Sequence, residues 1–347
     1  MRILVYGAGN MGSLYAALLK ESGQDVSILA RGKRLADIRA DGIHVVDAVT
    51  GSQTKARVRA IEQLDSDDPH DLVLVILPKH RVSEVLPILA ASRRTPDVMF
   101  FCNNAAGPRE IVDALGRERV LLGFPGAAAL TEDHVIRYLI MSPREQPTTI
   151  GELDGTRSPR IDAVAGALQA AGFPVSICPN MDAWLKTHAA EISPTANALY
   201  MAGVDPRRLA RTTDALVLMI RAIREGYRVL SAQGIPITPK SHRIFQWIPE
   251  PLLLALVRRQ VESGTTRIKI GHALGARREM KTLADELRAL AERTSTPTPA
   301  ADRLYGYLEP DAEPAADGSS AIPINRNAAW LALGASALAA ALLWLAR

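Results

Sequence analysis

The stretch MRILVYGAGNMGSLYAALLKESGQDVSILARGKR (Met1–Arg34) decides the fold of this chain. Its first apolar, β-branched run, Arg2–Tyr6, predicts a buried parallel strand. Gly7–Gly12 then follows the pattern G-x-G-x-x-G, and the apolar residues of Ser13–Ser22 recur with a helical period. Val26–Ala30 predicts a second strand. A strand, a glycine loop, a helix and a strand in this order are typical of a unit that binds a dinucleotide.

Each residue of the glycine loop has a mechanical role in such a unit. Gly7 makes the tight turn, Gly9 lets a pyrophosphate approach the backbone, and Gly12 lets the helix pack closely on the strand. Asn10 and Met11 open the helix, whose first N–H groups face the phosphates. We therefore predict that all five residues contact the cofactor. The alternative is a glycine-rich turn that binds nothing.

The end of the second strand indicates which dinucleotide is used. NAD-binding units place an Asp or Glu there for the ribose hydroxyls. Here Arg31 is followed by Lys33 and Arg34, and the first carboxylate comes only at Asp37. Arginine pairs well with a 2′-phosphate, so Arg31 predicts NADP(H) as the cofactor. The alternative is a solvated basic start of the next helix.

Composition excludes several other classes of protein. The chain has 347 residues and a net charge of +4, and its few aromatic residues give no basis for stacking on nucleic acid. Cys102 and Cys178 are the two cysteines, too few for a disulfide framework. The seven histidines are dispersed, and we expect no metal site. These features fit a cytoplasmic enzyme that binds no nucleic acid.

Strands and helices alternate through the first half of the chain. Asp71–Leu77 and Val98–Cys102 predict two further buried strands, and helical patterns separate them. The alternation predicts a Rossmann-like α/β domain with a doubly wound parallel sheet. Lys79 and Asn104 follow the carboxyl ends of these two strands, where such sheets bind ligands. Thr148–Asp154 predicts an edge strand with a turn.

The pattern changes after the first domain. Residues 1–178 make up the predicted NADP-binding domain, and residues 179–308 carry long helical periodicities that predict an all-α substrate and catalytic domain. Residues 309–325 are acidic and rich in Pro, Ala and Gly, which predicts a disordered linker. Residues 326–347 form the fourth predicted segment.

This last segment contains a hydrophobic helix in our prediction. Residues 328–346 carry no charge, and Trp330 and Trp344 lie near the two ends of the run. At about 1.5 Å per residue, a helix of this length just reaches across a hydrocarbon core of about 30 Å. Tryptophans at both ends fit the membrane interfaces. We therefore expect the catalytic domains to be anchored to the membrane, and the alternative is a helix that docks on protein or on a second subunit.

Two polar residues stand out in the first helix of the second domain. Lys186 and His188 lie in a mostly apolar stretch that continues to Asn197. A nicotinamide enzyme needs a group that handles the proton at the reacting oxygen, and a lysine can serve as this general acid. Solvent exposure is the alternative for any lysine on a helix.

At this point the chain resembles the ketopantoate reductase (2-dehydropantoate 2-reductase) family. The resemblance covers about residues 1–308 and rests on a set of short motifs. They are Gly7–Gly12, Ala30-Arg31-Gly32, Pro78-Lys79, Asn103–Gly107, Trp184-Leu185-Lys186, Ser193-Pro194, Ala198-Leu199, Glu279-Met280 and Pro297-Thr298-Pro299.

The resemblance implies a reaction and roles for single residues. Family members reduce 2-dehydropantoate with NADPH on the route to pantothenate, in a cleft between a Rossmann domain and a helical domain like that of 6-phosphogluconate dehydrogenase. Lys186 would protonate the substrate carbonyl oxygen, and Glu279 would hold the substrate hydroxyl and pair with the lysine. Asn104 would contact both cofactor and substrate. Lys79 and Arg31 would lie near the NADP phosphates.

The sequence departs from the family at the substrate pocket. Two asparagines usually follow the catalytic lysine, and here Ala189 or Ala190 and then Ser193 stand in that stretch. Arg267 stands where the family usually has a serine that binds the substrate carboxylate. The substrate candidates in our prediction are Asn104, His188, Ser193, Asn197 and Arg267.

Three interpretations stay open at the level of sequence. The first is an NADPH-dependent reductase of a 2-oxo acid, with 2-dehydropantoate as the leading candidate. The second is a related reductase of a larger or more hydrophobic carbonyl compound, and the third is a non-catalytic NADP-binding sensor at a membrane. Helical second domains often dimerise, so a homodimer is expected by analogy alone.

Overall fold

The computed structural model of the chain describes residues 1–132, 135–262 and 276–326. The described residues form two compact units that divide between Leu185 and Lys186. This division falls inside the helix α6 (Met181–Met201), whereas the sequence predicts a boundary after residue 178. The difference arises because Met181, Trp184 and Leu185 pack in the core of the first unit.

The first unit is built on an eight-stranded sheet. In spatial order its strands are β12 (Val175–Ile177), β11 (Thr148–Glu152), β8 (Val120–Phe124), β7 (Asp97–Phe101), β6 (Leu72–Val75), β1 (Arg2–Tyr6), β2 (Asp25–Leu29) and β5 (Arg59–Ile61). Neighbouring strands are parallel except for β8 and β11, which pair antiparallel with Thr149 opposite Phe124.

The fully parallel sheet is therefore wrong at one strand, and β11 is not the edge strand that the sequence predicts. The chain between β8 and β11 contains β9 (Ala127–Glu132) and β10 (Val135–Ile140) rather than a crossover helix. Parallel neighbours need a crossover connection, and a chain that returns without one runs antiparallel. The edge position belongs to β12.

Helices cover both faces of the main sheet. They are α1 (Asn10–Glu21), α2 (Gly32–Asp41), α3 (Val82–Ala91), α4 (Arg109–Leu115) and α5 (Pro159–Ala170). Along β1, Ile3 and Val5 belong to one core, whereas Leu4 and Tyr6 belong to a second core. Because successive strand residues point to opposite faces, the sheet is buried on both sides, which confirms the doubly wound architecture.

A second, four-stranded sheet packs on α1. Its order is β4 (Gln53–Ala56), β3 (Ile43–Asp47), β10 and β9. Leu14 and Tyr15 of α1 share one core with Ile43 and Ile136 of this sheet. The sequence predicts short strands near β3 and β4, but both β9 and β10 were missed. The alanine-rich run of β9 has one β-branched residue, Thr131, and so gives a weak strand signal, whereas β10 has the β-branched residues typical of a strand.

The described part of the second unit is helical. It contains α6 from Lys186 onward, α7 (Pro206–Arg211), α8 (Thr213–Ala232), α9 (Glu250–Val261), α10 (Arg277–Thr294), α11 (Pro299–Tyr305) and the 3-10 helices Lys240–Gln246 and Gly306–Leu308. The single helix that the sequence predicts over residues 206–233 is broken at Thr212. This residue leaves helical geometry with ψ of 90° while its hydroxyl bonds to the Arg208 carbonyl at 2.8 Å.

Residues 309–326 form an ordered segment, which we call the C-terminal strap. The carboxylate of Asp214 on α8 accepts the N–H groups of Ala321 at 3.1 Å and Ile322 at 2.7 Å. Glu250 accepts the N–H of Asn325 at 2.9 Å. The predicted disordered linker is thus wrong over 309–325, because composition does not show that buried carboxylates elsewhere in the chain bind this backbone.

Among the described residues, no helix is both long enough and apolar enough to cross a membrane. The predicted hydrophobic helix, residues 328–346, and the substrate candidate Arg267 lie outside the described residues.

Candidate functional site

The glycine loop joins β1 to α1 in the first unit. Gly7 has φ of +122°, and a Cβ on it would lie 2.3 Å from the carbonyl oxygen of Ile76. A Cβ on Gly12 would lie 1.8 Å from the carbonyl oxygen of Gly7. Both positions therefore require glycine, and the requirement comes from the packing of the loop on its own backbone.

Gly9 has open space instead. A Cβ there would meet nothing within 4 Å. Gly9 is also the N-cap of α1, so no side-chain oxygen caps the helix. The N–H of Ser13 bonds to the Gly9 carbonyl at 2.8 Å, while the N–H groups of Asn10, Met11 and Gly12 precede the first helical bond. Open space beside an uncapped helix N-terminus fits a pyrophosphate.

The side chains of Asn10 and Met11 serve the fold. The Asn10 Oδ1 atom accepts the Thr131 hydroxyl at 2.7 Å, and its Nδ2 lies 3.4 Å from the Ala129 carbonyl oxygen, so the start of α1 is tied to β9. Met11 packs against the core under α1. These two residues can therefore bind a phosphate through their backbone N–H groups rather than through their side chains.

The three predicted cations after β2 divide their roles. Arg31 is exposed and is the N-cap residue of α2. Lys33 is 79% exposed and pairs with Asp37 at 3.5 Å. Arg34 turns back and donates to the Ser13 hydroxyl at 2.8 Å, so it supports the start of α1. Arg31 is consequently the best placed of the three to meet a 2′-phosphate.

Arg81 is a cation that sequence reasoning missed. It ends the 3-10 helix Lys79–Arg81 after β6, the strand beside β1. Burial raises the pKa of Tyr6, the last residue of β1, and the charges of Arg31 and Arg81 oppose this rise. Both guanidinium groups therefore lie close to one hydroxyl at the carboxyl edge of the sheet. Arg81 also pairs with Glu84 at 3.2 Å.

Lys79 and Asn104 are both buried, and both have partners in the first unit. The Lys79 Nζ atom lies 3.7 Å from a carboxylate oxygen of Glu110. The Asn104 amide donates to the Gly107 carbonyl at 2.9 Å and accepts the Gly107 N–H at 3.0 Å. Asn104 thus closes the loop after β7, and its contact with cofactor or substrate stays a prediction.

The predicted catalytic residues of the second unit are deeply buried. Lys186 on α6 is 6% exposed, and Glu279 in the first turn of α10 is 2% exposed. Burial raises the pKa of Tyr200 to about 12, and the nearby charge of Glu279 adds to this rise. The charge of Arg277 opposes it, because its guanidinium lies 4.3 Å from the centroid of the Tyr200 ring. Glu279 therefore lies near the Tyr200 hydroxyl, and its pairing with Lys186 stays a prediction.

The face of α6 beyond Lys186 packs tightly on α8. Ala190 follows Lys186 by one turn, and Gly226 of α8 lies opposite it. A Cβ on Gly226 would lie 2.9 Å from the Cβ of Ala190. The two helices therefore cross with small residues in contact, which leaves no room for an asparagine side chain at position 190 in this packing.

A cavity of about 40 Å³ lies beside this crossing, among α6, α8, α10 and α11. Ser193 and Asn197 bring polar groups to its lining from α6, and Arg288, Thr298 and Tyr305 also line it, while the other lining residues are small or aliphatic. The Asn197 Oδ1 atom is buried and has no hydrogen-bond partner among the described residues. The structure thus brings Ser193 and Asn197 together, whereas the half-buried His188 does not line this cavity.

A cluster around Glu191 was also missed. The Tyr227 hydroxyl and the His242 Nδ1 atom both bond to Glu191 Oε1, the latter at 2.5 Å. Burial alone would lower the pKa of His242, but the hydrogen bond and the charge of Glu191 outweigh it and raise the pKa. No sequence signal predicts this cluster, because Glu191 lies on α6, Tyr227 on α8 and His242 on the 3-10 helix Lys240–Gln246, far apart in sequence.

Comparisons with known proteins support the resemblance to the ketopantoate reductases. Residues 3–155 match the family model of ketopantoate reductase PanE/ApbA. The match covers somewhat less than half of the chain. The resemblance that the sequence indicated is confirmed, and so is the prediction of an oxidoreductase, since members of this family depend on NAD(P)H.

Relatives of the domain extend over most of the chain. A 2-dehydropantoate 2-reductase from Mesorhizobium japonicum is 25% identical over 268 residues, which is 68% of this chain and 79% of the relative. Among solved structures, a 2-dehydropantoate 2-reductase from Geobacter metallireducens has a TM-score of 0.70 and 20% identity, and covers 89% of this chain and 99% of that one. A D-mandelate dehydrogenase solved with NADH and anilino(oxo)acetate has a TM-score of 0.70 and 15% identity, and covers 89% and 97% of the two chains.

The family-model match covers some of the predicted site residues and not others. The matched residues 3–155 contain the glycine loop, Arg31, Lys79 and Asn104. Lys186 and Glu279 lie after its last matched residue. At the low identities of the solved structures, their similarity shows the fold of the helical region. The roles of Lys186 and Glu279, which the resemblance implies, therefore stay predictions.

Proposed function

We propose that this chain reduces a 2-oxo acid with NADPH, and that 2-dehydropantoate is the leading candidate substrate. The observation that carries the proposal is the match of residues 3–155 to the ketopantoate reductase family model, together with open space over Gly9 at the uncapped start of α1. The bound nicotinamide supplies the hydride. The experiment follows the absorbance of NADPH with 2-dehydropantoate and with a panel of other 2-oxo acids. Oxidation that occurs with 2-dehydropantoate alone supports the leading candidate.

NADPH is preferred to NADH in this proposal because of Arg31 and Arg81. Both charges lie near Tyr6 at the carboxyl edge of the sheet. Arg31→Ala and Arg81→Ala should each weaken NADPH binding by about tenfold and leave NADH binding nearly unchanged, since each removes a partner of the 2′-phosphate. Arg109→Ala, at a side chain that is 92% exposed, is the matched control. Equal losses for both cofactors would contradict the preference.

Lys186 protonates the carbonyl oxygen of the substrate in this proposal, and Glu279 orients the substrate. Their burial supports these roles, because a charged group is placed in an apolar interior only at a cost. Lys186→Ala should lower kcat by at least about a hundredfold while NADPH binding, measured by fluorescence, is retained. Lys55→Ala, on an exposed strand residue, should leave kcat unchanged. Turnover that survives in Lys186→Ala would remove this lysine from the reaction.

A reductase of a larger or more hydrophobic carbonyl compound is the second candidate. Two observations favour it. The tight Ala190–Gly226 crossing leaves no room for an asparagine that the family usually has after the lysine, and most residues that line the cavity at Ser193 and Asn197 are small or aliphatic. The same panel decides, if it includes 2-oxo acids with branched and aromatic side chains. A chain that binds NADPH and oxidises it with none of them would be the non-catalytic sensor.

We also propose that residues 328–346 anchor the chain to a membrane and that the catalytic units lie on the cytoplasmic side. The uncharged run with tryptophans at its ends supports this. The chain cut after Arg326 should remain in the supernatant, whereas the full chain should sediment with membranes. A full chain that stays in the supernatant without detergent would refute the anchor. A homodimer remains an expectation that light scattering in detergent would test.

A further inference from the structure

Two of the three exposed large apolar side chains among the described residues lie on one short segment of the second unit. Ile244 is 39% exposed and Trp247 is 60% exposed, and the third, Val49, lies in the first unit. Ile244 belongs to the 3-10 helix Lys240–Gln246, and Trp247 is its C-cap. Since a 3-10 helix has three residues per turn, Ile244 and Trp247 lie in the same row along it.

Cations occupy the neighbouring row. Lys240 and Arg243 are both exposed and are themselves three residues apart. The carboxylates packed against this segment are neutralised within the unit: Glu191 by His242, and Glu250 by Arg221, whose Nε donates at 2.9 Å. We call Lys240, Arg243, Ile244 and Trp247 the basic-aromatic surface, and its free charge is positive.

The C-terminal strap ends beside this surface. The N–H of Asn325 bonds to Glu250, which begins α9 three residues after Trp247. Two residues before Asn325, the Pro323 carbonyl accepts a hydrogen bond from Arg221 at 2.7 Å, and Arg221 also donates to Glu250. The chain therefore leaves the described residues within a few residues' reach of Trp247, and the uncharged run 328–346 follows at once.

We propose that the basic-aromatic surface binds an anionic lipid membrane and sets the orientation of the second unit on it. Trp247 and Ile244 insert at the interface, where an indole is favourable, while Lys240 and Arg243 meet lipid phosphates. Two apolar side chains are too few for a stable protein interface, which buries about 800 Å² per partner. They suffice for a surface that a neighbouring anchor already keeps at high local concentration.

The inference rests on the proposed anchoring but not on the proposed reductase activity. Its test uses the full chain with Ile244→Cys, labelled with the environment-sensitive dye NBD, and with Val49→Cys as the matched control. Cys102 and Cys178 are buried, and the unsubstituted chain shows their background labelling. Each labelled chain is mixed with vesicles of phosphatidylcholine alone or with phosphatidylserine added, and flotation measures the bound fraction in the same samples.

The expected result is a blue shift of NBD at position 244 on vesicles that contain phosphatidylserine, quenched by doxyl lipid, with no shift at position 49. Lys240→Gln combined with Arg243→Gln should reduce the shift at least twofold without lowering the bound fraction, whereas Arg109→Gln should leave the shift unchanged.

A chain that floats with vesicles but shows no shift at position 244 would overturn the proposed lipid-binding surface and leave the proposed anchor standing. A chain that does not float would overturn both. A shift without vesicles that grows with protein concentration would overturn the lipid surface in favour of contact between two copies.

Discussion

The glycine loop of the first unit and the α6 face of the second place functional groups in different ways. In the loop, the backbone itself is the binding surface, and its shape follows from what glycine permits at Gly7 and Gly12. On α6, the candidate functional groups are side chains, and the packing of Ala190 on Gly226 limits which side chains fit. The first site is therefore specified within a few residues, and the second depends on helices distant in sequence.

This difference explains why the glycine loop keeps the family's pattern, whereas the α6 face departs from it at Ala190 and Ser193. A backbone cradle accepts no substitution at its crowded positions. A helix face can exchange polar groups for small apolar ones, provided that its neighbours fill or leave the space. In the proposed function, cofactor binding therefore depends on the loop, whereas the substrate preference depends on positions such as 190 and 193.

The largest effect should come from crowding the loop. Gly12→Ala places a Cβ 1.8 Å from the Gly7 carbonyl oxygen, so we expect a loss of about 3 kcal/mol or more in the free energy of unfolding, together with loss of NADPH binding. Gly9→Ala has open space and should fold normally, but its methyl group should weaken NADPH binding by at least about tenfold.

Urea unfolding and NADPH fluorescence titration measure the two effects. The control is Gly166→Ala in α5, where a Cβ would meet nothing within 4 Å, and it should stabilise the chain slightly through helix propensity. If Gly9→Ala proved as unstable as Gly12→Ala, the open cradle would be wrong. If it bound NADPH normally, the pyrophosphate would lie elsewhere.

The next largest effect tests how far the stability of the second unit depends on contacts between residues distant in sequence. Truncation after Leu308 removes the strap and leaves the 4% exposed carboxylate of Asp214 without the N–H groups of Ala321 and Ile322. Because the truncation also opens this carboxylate to water, the loss is that of two charge-assisted hydrogen bonds and of the strap's packing, about 2 kcal/mol. The chain cut after Arg326 keeps these bonds and is the matched control.

Thermal unfolding of the two truncated chains in the same buffer makes the comparison. We expect a lower Tm for the chain that ends at Leu308. Equal Tm values would mean that the strap follows the fold without stabilising it.

The first domain could be predicted from sequence because its signals are local. The glycine pattern, the apolar strands and the position of Arg31 after β2 are all contained in Met1–Arg34. Arg81 was missed, although it follows a predicted strand, because its relevance appears only when β6 is placed beside β1. Strand order is not a local property, and the same limit concealed the antiparallel turn into β11.

The second unit exposes the other limit. Lys186 stood out as a polar residue in an apolar helix and Glu279 was identified through a family resemblance, whereas the Glu191–His242 pair and the strap had no sequence signal. The strap has the composition of a disordered segment, and its order comes from Asp214 and Glu250, each far away in sequence. Polar contacts between backbone and distant carboxylates leave no periodic pattern.

A smaller effect tests the α6–α8 crossing. Gly226→Ala adds a Cβ 2.9 Å from that of Ala190, so overpacking of about 1–2 kcal/mol should exceed the gain in helix propensity. The double variant with Ala190→Gly should recover part of the loss, because it removes the opposing methyl group. A double-mutant cycle from urea unfolding measures the coupling, and additive losses would show that the two residues do not restrict each other.

The smallest effect contrasts the histidines of the two units. Glu191 raises the pKa of His242, so its contribution to stability is complete below the unfolded pKa of about 6.5 and is lost as the pH rises through the folded pKa. His70 in the first unit has a pKa lowered by burial, so its effect has the opposite sign and stability falls as it becomes protonated in acid.

Because His242 is 37% exposed, screening limits its contribution to stability to less than about 1 kcal/mol. Unfolding free energies measured between about pH 5 and 8 should therefore fall less steeply toward high pH in Glu191→Gln than in the unsubstituted chain, and His70→Gln should change only the acid side. Identical pH profiles for Glu191→Gln and the unsubstituted chain would show that this ion pair contributes nothing to the stability of the second unit.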